Sequence, residues 1–183
     1  DFGPQVERCL ELLRLMHIPV FGLEGVEADD TIASIITQCA SDHAELAIRI
    51  ASRDKDLTQL CSPRVDMFDA MKDSLVTPSD VFKTEGVEPH MVGDILALMG
   101  DTADNIPGVP GIGPKTAAKL IIEHGDLNGL YEALPGLKGK KMQAIGEHRE
   151  TTALARQLVD LKRDLDTGFD LDDADFDPGQ IDL

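Results

Sequence analysis

Asp101 and Asp104 stand three residues apart, a spacing that on a helical turn projects both carboxylates from one face toward a cation. Directly after them, Pro107-Gly108-Val109-Pro110-Gly111-Ile112-Gly113-Pro114-Lys115-Thr116 reads as a hairpin whose glycines keep side chains out of the way, with Pro114 as the first residue of a helix. Bare backbone N–H groups at that helix N-terminus, with Lys115 and Lys119 on the next turns, form a seat for phosphate. An acid pair facing a cation beside a phosphate seat, all between Met99 and Leu120, points to phosphodiester chemistry.

Two further acidic clusters precede this stretch. Glu27, Asp29 and Asp30 lie where a helix begins, and acids in a first turn are ordinary capping residues. Three acids within four residues exceed what one cap needs, and their mutual repulsion favours a bound cation. Asp54 and Asp56, two apart at the end of an extended segment, point to the same side. They follow the apolar run Leu46 to Ala51, and in open α/β sheets ligands bind beyond the carboxyl ends of strands. Capping of the short helix through Leu60 accounts for one of this pair more easily than for both.

The run GDTADNIPGVPGIGPKTAAKL resembles the metal-binding and helix–hairpin–helix signature of the 5′-3′ exonuclease domain of bacterial DNA polymerase I, a member of the flap endonuclease family. Glu27-Ala28-Asp29-Asp30 and Asp54-Lys55-Asp56-Leu57 are similar to that family's acidic motifs, whereas Arg53 matches no position we assign. The resemblance implies that Glu27, Asp29, Asp30, Asp54, Asp56, Asp101 and Asp104 ligate metal, with Asp29, Asp30, Asp54 and Asp56 closest to the chemistry. Hard carboxylate oxygens suit Mg2+ or Mn2+, and such a set would hold two ions roughly 4 Å apart for in-line attack of water on phosphorus. The resemblance further implies that Gly108, Gly111, Ile112, Gly113, Lys115, Thr116 and Lys119 bind DNA, mainly through its backbone, at a 5′ flap, nick or duplex end. A covalently linked polymerase domain, a role in replication and repair, and a bacterial cytosolic or nucleoid location follow from the same likeness. Two rivals stand beside this reading: a non-catalytic DNA-binding scaffold that uses the hairpin alone, and an RNA-cleaving relative with the same acidic rim.

The composition sets bounds on these readings. A chain of 183 residues, 42% hydrophobic, can bury one good core with a small appended lobe. No apolar run approaches the roughly 20 residues that cross a bilayer, and no basic start with an apolar signal core opens the chain, so no membrane partner is expected. Cys9, Cys39 and Cys61 are odd in number, far apart and outside any C-x-x-C pattern, which argues for reduced, mostly buried thiols. A net charge of −17 fits a nucleic-acid protein only through its distribution. Residues 1–110 carry 8 basic and 20 acidic side chains, 111–163 carry 9 and 6, and 164–183 carry none and 8. The basic segment is the one that opens with the hairpin. The five histidines are scattered and form no pair at ligand spacing.

The elements that must position these groups read as an α/β fold: a largely parallel central sheet, PIN-like as in flap endonucleases, followed by a helical lobe with the helix–hairpin–helix. Apolar spacing predicts a core-packed helix over 5–16, a strand over 17–21, a helix through Ile32, Ile36 and Cys39, a buried strand over 46–51, and short strands at 64–68 and 74–76. Thr77-Pro78 starts a helix that Gly86 stops, and Pro89 begins the helix that delivers Asp101 and Asp104, with Asp94 on its exposed side. Helices are expected over 116–123, 127–134, 138–145 and 150–163. Residues 1–106 are thus expected to form a nuclease core, 107–163 a DNA-binding lobe, and 164–183 a solvated acidic exit linker. Family members begin with a strand carrying another metal-binding aspartate and continue through a basic helical arch; nothing of this precedes Asp1, so the chain reads as lacking the family's N-terminal part.

Overall fold

Val65-Asp66-Met67-Phe68-Asp69 alternates side chains between a buried face and a more open one, the pattern of a strand with one face on a core. In the computed structural model, which describes residues 2–177, 179 and 181, this strand is the centre of the sheet. The chain forms two compact units, one from Ala47–Asp160 and one from Asp1–Leu46 together with Leu161–Leu183.

In the first of these, β1 (Ile48–Ala51) runs parallel to β2 (Val65–Asp69), with Ile48 opposite Val65 and Ala51 opposite Phe68. β3 (Ser74–Val76) returns antiparallel, with Met67 opposite Val76. The sheet described is therefore mixed, with one parallel and one antiparallel pairing. β1 lies at its edge and fully buries only Ile50, fewer residues than its continuous apolar run predicts. A short 3-10 turn, Asp56–Leu60, fills the crossover from β1 to β2 and sinks Leu57 and Leu60 into the core.

Helix α3 (Pro78–Glu85) begins as its sequence predicts: Thr77 and Asp80 form a reciprocal capping box, Pro78 occupies the first turn, and Gly86 ends the helix in the left-handed conformation at φ 79°. The Asp80 carboxyl is held well below the usual range, first by Lys83 and then by Thr77. Pro89 opens a 3-10 turn that leads into α4 (Val92–Met99), and every residue from Val92 to Leu98 is buried. A helix apolar on nearly all sides belongs at the centre of its unit, and α4 packs against both α5 (Pro114–His124) and α8 (Arg149–Val159). Between these lie α6 (Leu127–Ala133) and α7 (Lys140–Glu147).

Asp94 corrects the expectation of an exposed side. It is buried, accepts a 2.6 Å bond from Arg156 Nε on α8 and a 3.1 Å bond from the Leu127 amide at the start of α6. The single acid on an apolar helix is here a buried clasp, satisfied by a cation from 62 residues away.

The second unit holds α1 (Phe2–Leu15) and α2 (Ala28–Asp42). The predicted helix over 5–16 forms, but none of its residues is buried and Cys9 is exposed, so it is amphipathic without being core-packed; Cys39 and Cys61 are buried as expected. No strand forms over 17–21: His17 adopts φ 54°, the Ile18 amide closes onto Leu13 O, and Pro19 has no amide to pair. Within the stretch expected as a solvated linker, residues 165–169 pack on α2 and Phe21, while most residues from 170 to 177 are exposed. Leu165 N donates to Ser34 Oγ, Gln38 Nε2 donates to Phe169 O, Thr167 is buried, and the Phe169 ring meets Phe21 edge to face at 5.2 Å. Asp1, Pro178, Gln180, Asp182 and Leu183, at the ends of the expected core and linker, lie outside the described residues.

Candidate metal centre and nucleic-acid interface

The chain leaves α4 at Gly100, whose φ of 77° turns it sharply, and enters a closed loop rather than a further helical turn. Asp101 N donates to Ile106 O at 2.9 Å and Ile106 N returns a bond to Asp101 O at 2.7 Å, with Asn105 left-handed at φ 57° between them. The expected helical presentation of Asp101 and Asp104 is therefore wrong in mechanism: a bridged loop brings their carboxylates together. Asp101 Oδ1 accepts from the Ala103 amide at 2.9 Å, which fixes the side chain within the loop.

Asp56 joins this pair from the start of the 3-10 turn after β1. One oxygen from each of Asp56, Asp101 and Asp104 lies within 4.8 Å of the others, with Asp101 buried, Asp56 half-buried and Asp104 exposed. Asp56 Oδ1 is a buried oxygen without a hydrogen-bond partner, and Asp101 Oδ2 is buried against the Lys55 ammonium alone. Burial, followed by the neighbouring Asp54 charge, pushes the Asp56 carboxyl up to about 6. Hard, crowded oxygens, one of them orphaned, are the donor set a divalent cation requires, so these residues fit such an ion.

Lys55 supplies the counter-charge within the chain itself. Its ammonium lies against Asp101 Oδ2, which holds the Asp101 carboxyl below the usual range and raises Lys55 above its own. The sequence motif gave this lysine no role, because a residue between two acids reads as a spacer; only the fold of the Asp101 loop shows its partner.

The other expected ligands divide into two sets. Asp54 is exposed, and its Oδ1 accepts from the Asp56 amide at 3.0 Å, so it does cap the turn while adding charge beside Asp56. Glu27, Asp29 and Asp30 belong to the other unit, in the first turn of α2 and just before it. Glu27 stands at the N-cap without a capping side-chain bond, and Asp30 is buried, accepting the Lys162 amide at 2.9 Å with the Lys162 ammonium at 3.4 Å.

The hairpin is built by close backbone approach. A Cβ on Gly108 would stand 2.1 Å from Met99 O, and one on Gly100 would stand 2.4 Å from Gly108 N; Val109 N donates to Leu98 O at 2.8 Å. The crossing of two chain segments thus requires a glycine at Gly108. Ile112 also departs from its expected place at the DNA: its side chain is buried and its amide is spent on Val109 O. Gly111 and Gly113 have open space where a side chain would project. Pro114 begins α5, and the Thr116 and Ala117 amides both turn back onto Gly113 O. The charge at this helix start comes from exposed Lys115 and Lys119, joined by Lys141 of α7, whose Nζ donates to Thr116 Oγ1 at 3.1 Å. The approach of Lys141 to α5 depends on how α6 and α7 fold back, which sequence spacing does not show.

Residues 1–87 match the model of the 5′-3′ exonuclease N-terminal resolvase-like domain, and residues 87–182 that of the 5′-3′ exonuclease C-terminal SAM fold. The chain is 42% identical over 176 residues to DNA polymerase I of Rhizobium leguminosarum, covering 96% of this chain and 17% of that protein. It is 38% identical over 182 residues to DNA polymerase I of Bacillus caldotenax, covering 96% of this chain and 20% of the relative. The chain thus spans no more than about a fifth of the length of these curated relatives. Among solved structures, the T5 5′-exonuclease with bound zinc superposes with a TM-score of 0.77 at 30% identity, over 85% of this chain and 57% of its own. A bacteriophage T5 flap endonuclease in a pseudo-enzyme-product complex with DNA and metal ions gives 0.75 at 30% identity, again over 85% and 57%. The catalytic core of Rad2 in complex with DNA, at 14% identity and a TM-score of 0.53, shares the fold alone.

Proposed function

Since the chain belongs to the 5′-3′ exonuclease family, we propose that it is the nuclease portion of a larger DNA-processing protein and hydrolyses DNA phosphodiesters at a 5′ flap, nick or duplex end with the help of two Mg2+ or Mn2+ ions. The observation that carries this reading is the cluster of Asp56, Asp101 and Asp104, whose ligand oxygens lie within 4.8 Å of one another with Asp56 Oδ1 buried and unpartnered. Asp54 joins these proposed ligands, and Glu27, Asp29 and Asp30 are proposed as metal ligands on the likeness of their motif to the family's. When bound, divalent ions supply charge neutralisation at phosphorus and an acidified water.

The chain's own residues do the positioning. The Asp101–Ile106 bridge and the Ala103 amide hold the Asp101 oxygens in place, and the turn after β1 holds Asp56 toward them. Open main chain at Gly111 and Gly113, with Lys115, Lys119 and Lys141, would seat a DNA backbone without reading bases. A polymerase domain in the same polypeptide and action in the bacterial cytosol or nucleoid fit the relatives; among the described residues, no helix is long and apolar enough to cross a membrane.

The test is a labelled 5′-flap duplex incubated with the chain in magnesium, manganese or EDTA. The expected result is cleavage that requires metal and is lost in Asp101→Asn, with DNA binding retained. Metal-independent binding without cleavage under any condition would favour the scaffold reading.

A further inference from the structure

We propose that Lys55 is a built-in stand-in for a divalent ion, holding Asp101 in the metal-free chain and surrendering it when an ion enters. The inference rests on the metal-site reading above and concerns how that site stays folded when empty and what an ion must displace. Three observations support it. The Lys55 ammonium meets Asp101 at Oδ2, an oxygen on a side chain only 4% exposed, while the lysine itself is 53% exposed. The ammonium therefore reaches down from solvent into the cluster, and rotation about its own stem returns it there without moving the backbone. Asp101 is also the residue that, with Asp56 and Asp104, brings ligand atoms within 4.8 Å of one another, so an ion drawn to this cluster and the ammonium compete for the same carboxylate.

Charge decides the competition. The groups facing this space are Asp56 and Asp54 from the turn after β1 and Asp101 and Asp104 from the loop after α4, and Lys55 is the cation set among them. One ammonium leaves the cluster strongly negative, so a divalent ion is drawn in and repels the lysine once bound. A lysine suits the task better than an arginine. It is a mobile point charge on a flexible stem, whereas a guanidinium would grip the carboxylate with two parallel bonds.

The test is calorimetric titration of manganese into the wild-type chain and into Lys55→Met, Lys55→Gln and Lys55→Arg, with thermal unfolding in EDTA beside it. Removing the competitor should tighten manganese binding in the Met and Gln variants on the order of fivefold, the scale of one exposed charge pair, while lowering their metal-free melting temperature. The Arg variant should bind manganese more weakly than wild type. A lysine that merely props Asp101 in place gives the opposite sign, so Met and Gln variants that bind manganese no tighter than wild type overturn the proposal. Asp101→Asn separates the two readings: if it abolishes wild-type binding while Lys55→Met fails to tighten it, the metal site stands and the stand-in falls. A wild-type chain that takes up no manganese overturns both.

Discussion

Asp94 Oδ1 and Arg156 Nε are joined at 2.6 Å, and through them the helix that ends at the Asp101 loop is fastened to the last helix of its unit. Arg156 also faces Asp160 at 3.1 Å, and Asp94 takes the Leu127 amide with its second oxygen. Removing Asp94 would leave a largely buried guanidinium without its main partner. Asp94→Ala should therefore cost about 3 kcal/mol of stability, as for other broken buried pairs. Chemical denaturation of the two proteins checks this, and a loss below about 1 kcal/mol would make the contact a surface-type pair.

The raised Asp56 carboxyl gives a pH dependence of definite sign. Its folded value of about 6 exceeds the ordinary 3.8, so the folded chain holds that proton more firmly than the unfolded one. Metal-free stability should fall as pH rises from about 4 to about 6 and stay lowered above it. Asp56→Asn removes this penalty, so the metal-free variant should melt higher than wild type at pH 7.5 and show no such advantage at pH 4. Thermal scans in EDTA across that range decide the matter.

Metal uptake should follow the same group from the other side. A cation needs the carboxylate, and at pH 5 only about a tenth of a group titrating near 6 is ionised. Manganese affinity should thus be weaker by roughly tenfold at pH 5 than at pH 7.5, measured by calorimetry in buffers of matched ionic strength. A flat profile would place the ion away from Asp56.

Two glycines of the hairpin should separate folding from binding. A Cβ at Gly108 collides with main chain at 2.1 Å, so Gly108→Ala should unfold the loop and lose metal binding as well as DNA binding. Gly113 sits in extended backbone at φ −103° with nothing near the added carbon. Gly113→Val should keep the melting temperature yet weaken binding to every duplex by about tenfold, read by fluorescence anisotropy in calcium. Strong sequence preference, or unchanged affinity, would remove Gly113 from the interface.

The lysines around the start of α5 should reveal themselves in salt. Replacing Lys115, Lys119 and Lys141 singly by Ala should each lower the slope of log affinity against log salt by about 0.9 if each neutralises one phosphate. Lys141 is the informative case, since its bond to Thr116 could serve α7 packing alone.

Much of this site could be read before any coordinates, and the exceptions share a cause. Turn and cap chemistry is local, so Thr77-Pro78, Gly86 and Pro114 mark their helix boundaries directly. Acidic spacing marked Asp56, Asp101 and Asp104, although the helical reason for the last two was mistaken: Asp101 pairs with Ile106 in a loop. What stayed hidden depends on partners distant in sequence. Asp94 looks like a solvent-facing break in an apolar helix until Arg156 arrives, Lys55 looks like filler until Asp101 folds over it, and Ile112 looks like part of a recognition loop until the core claims it. Residues 17–21 have strand-like composition, but composition supplies no neighbouring strand.

The crossing of Gly108 over Met99 and Gly100 has a metrical consequence. The loop that carries Asp101 and the turn that would grip a DNA strand are locked by the same few main-chain atoms, with Val109 bonded back to Leu98. Their separation is therefore a ruler written in covalent backbone and cannot stretch with side-chain motion. A strand seated at the hairpin would be measured off against the acids in whole nucleotides, whatever its bases, and one residue inserted between Gly108 and Gly111 should move the cut site along the strand instead of merely slowing it.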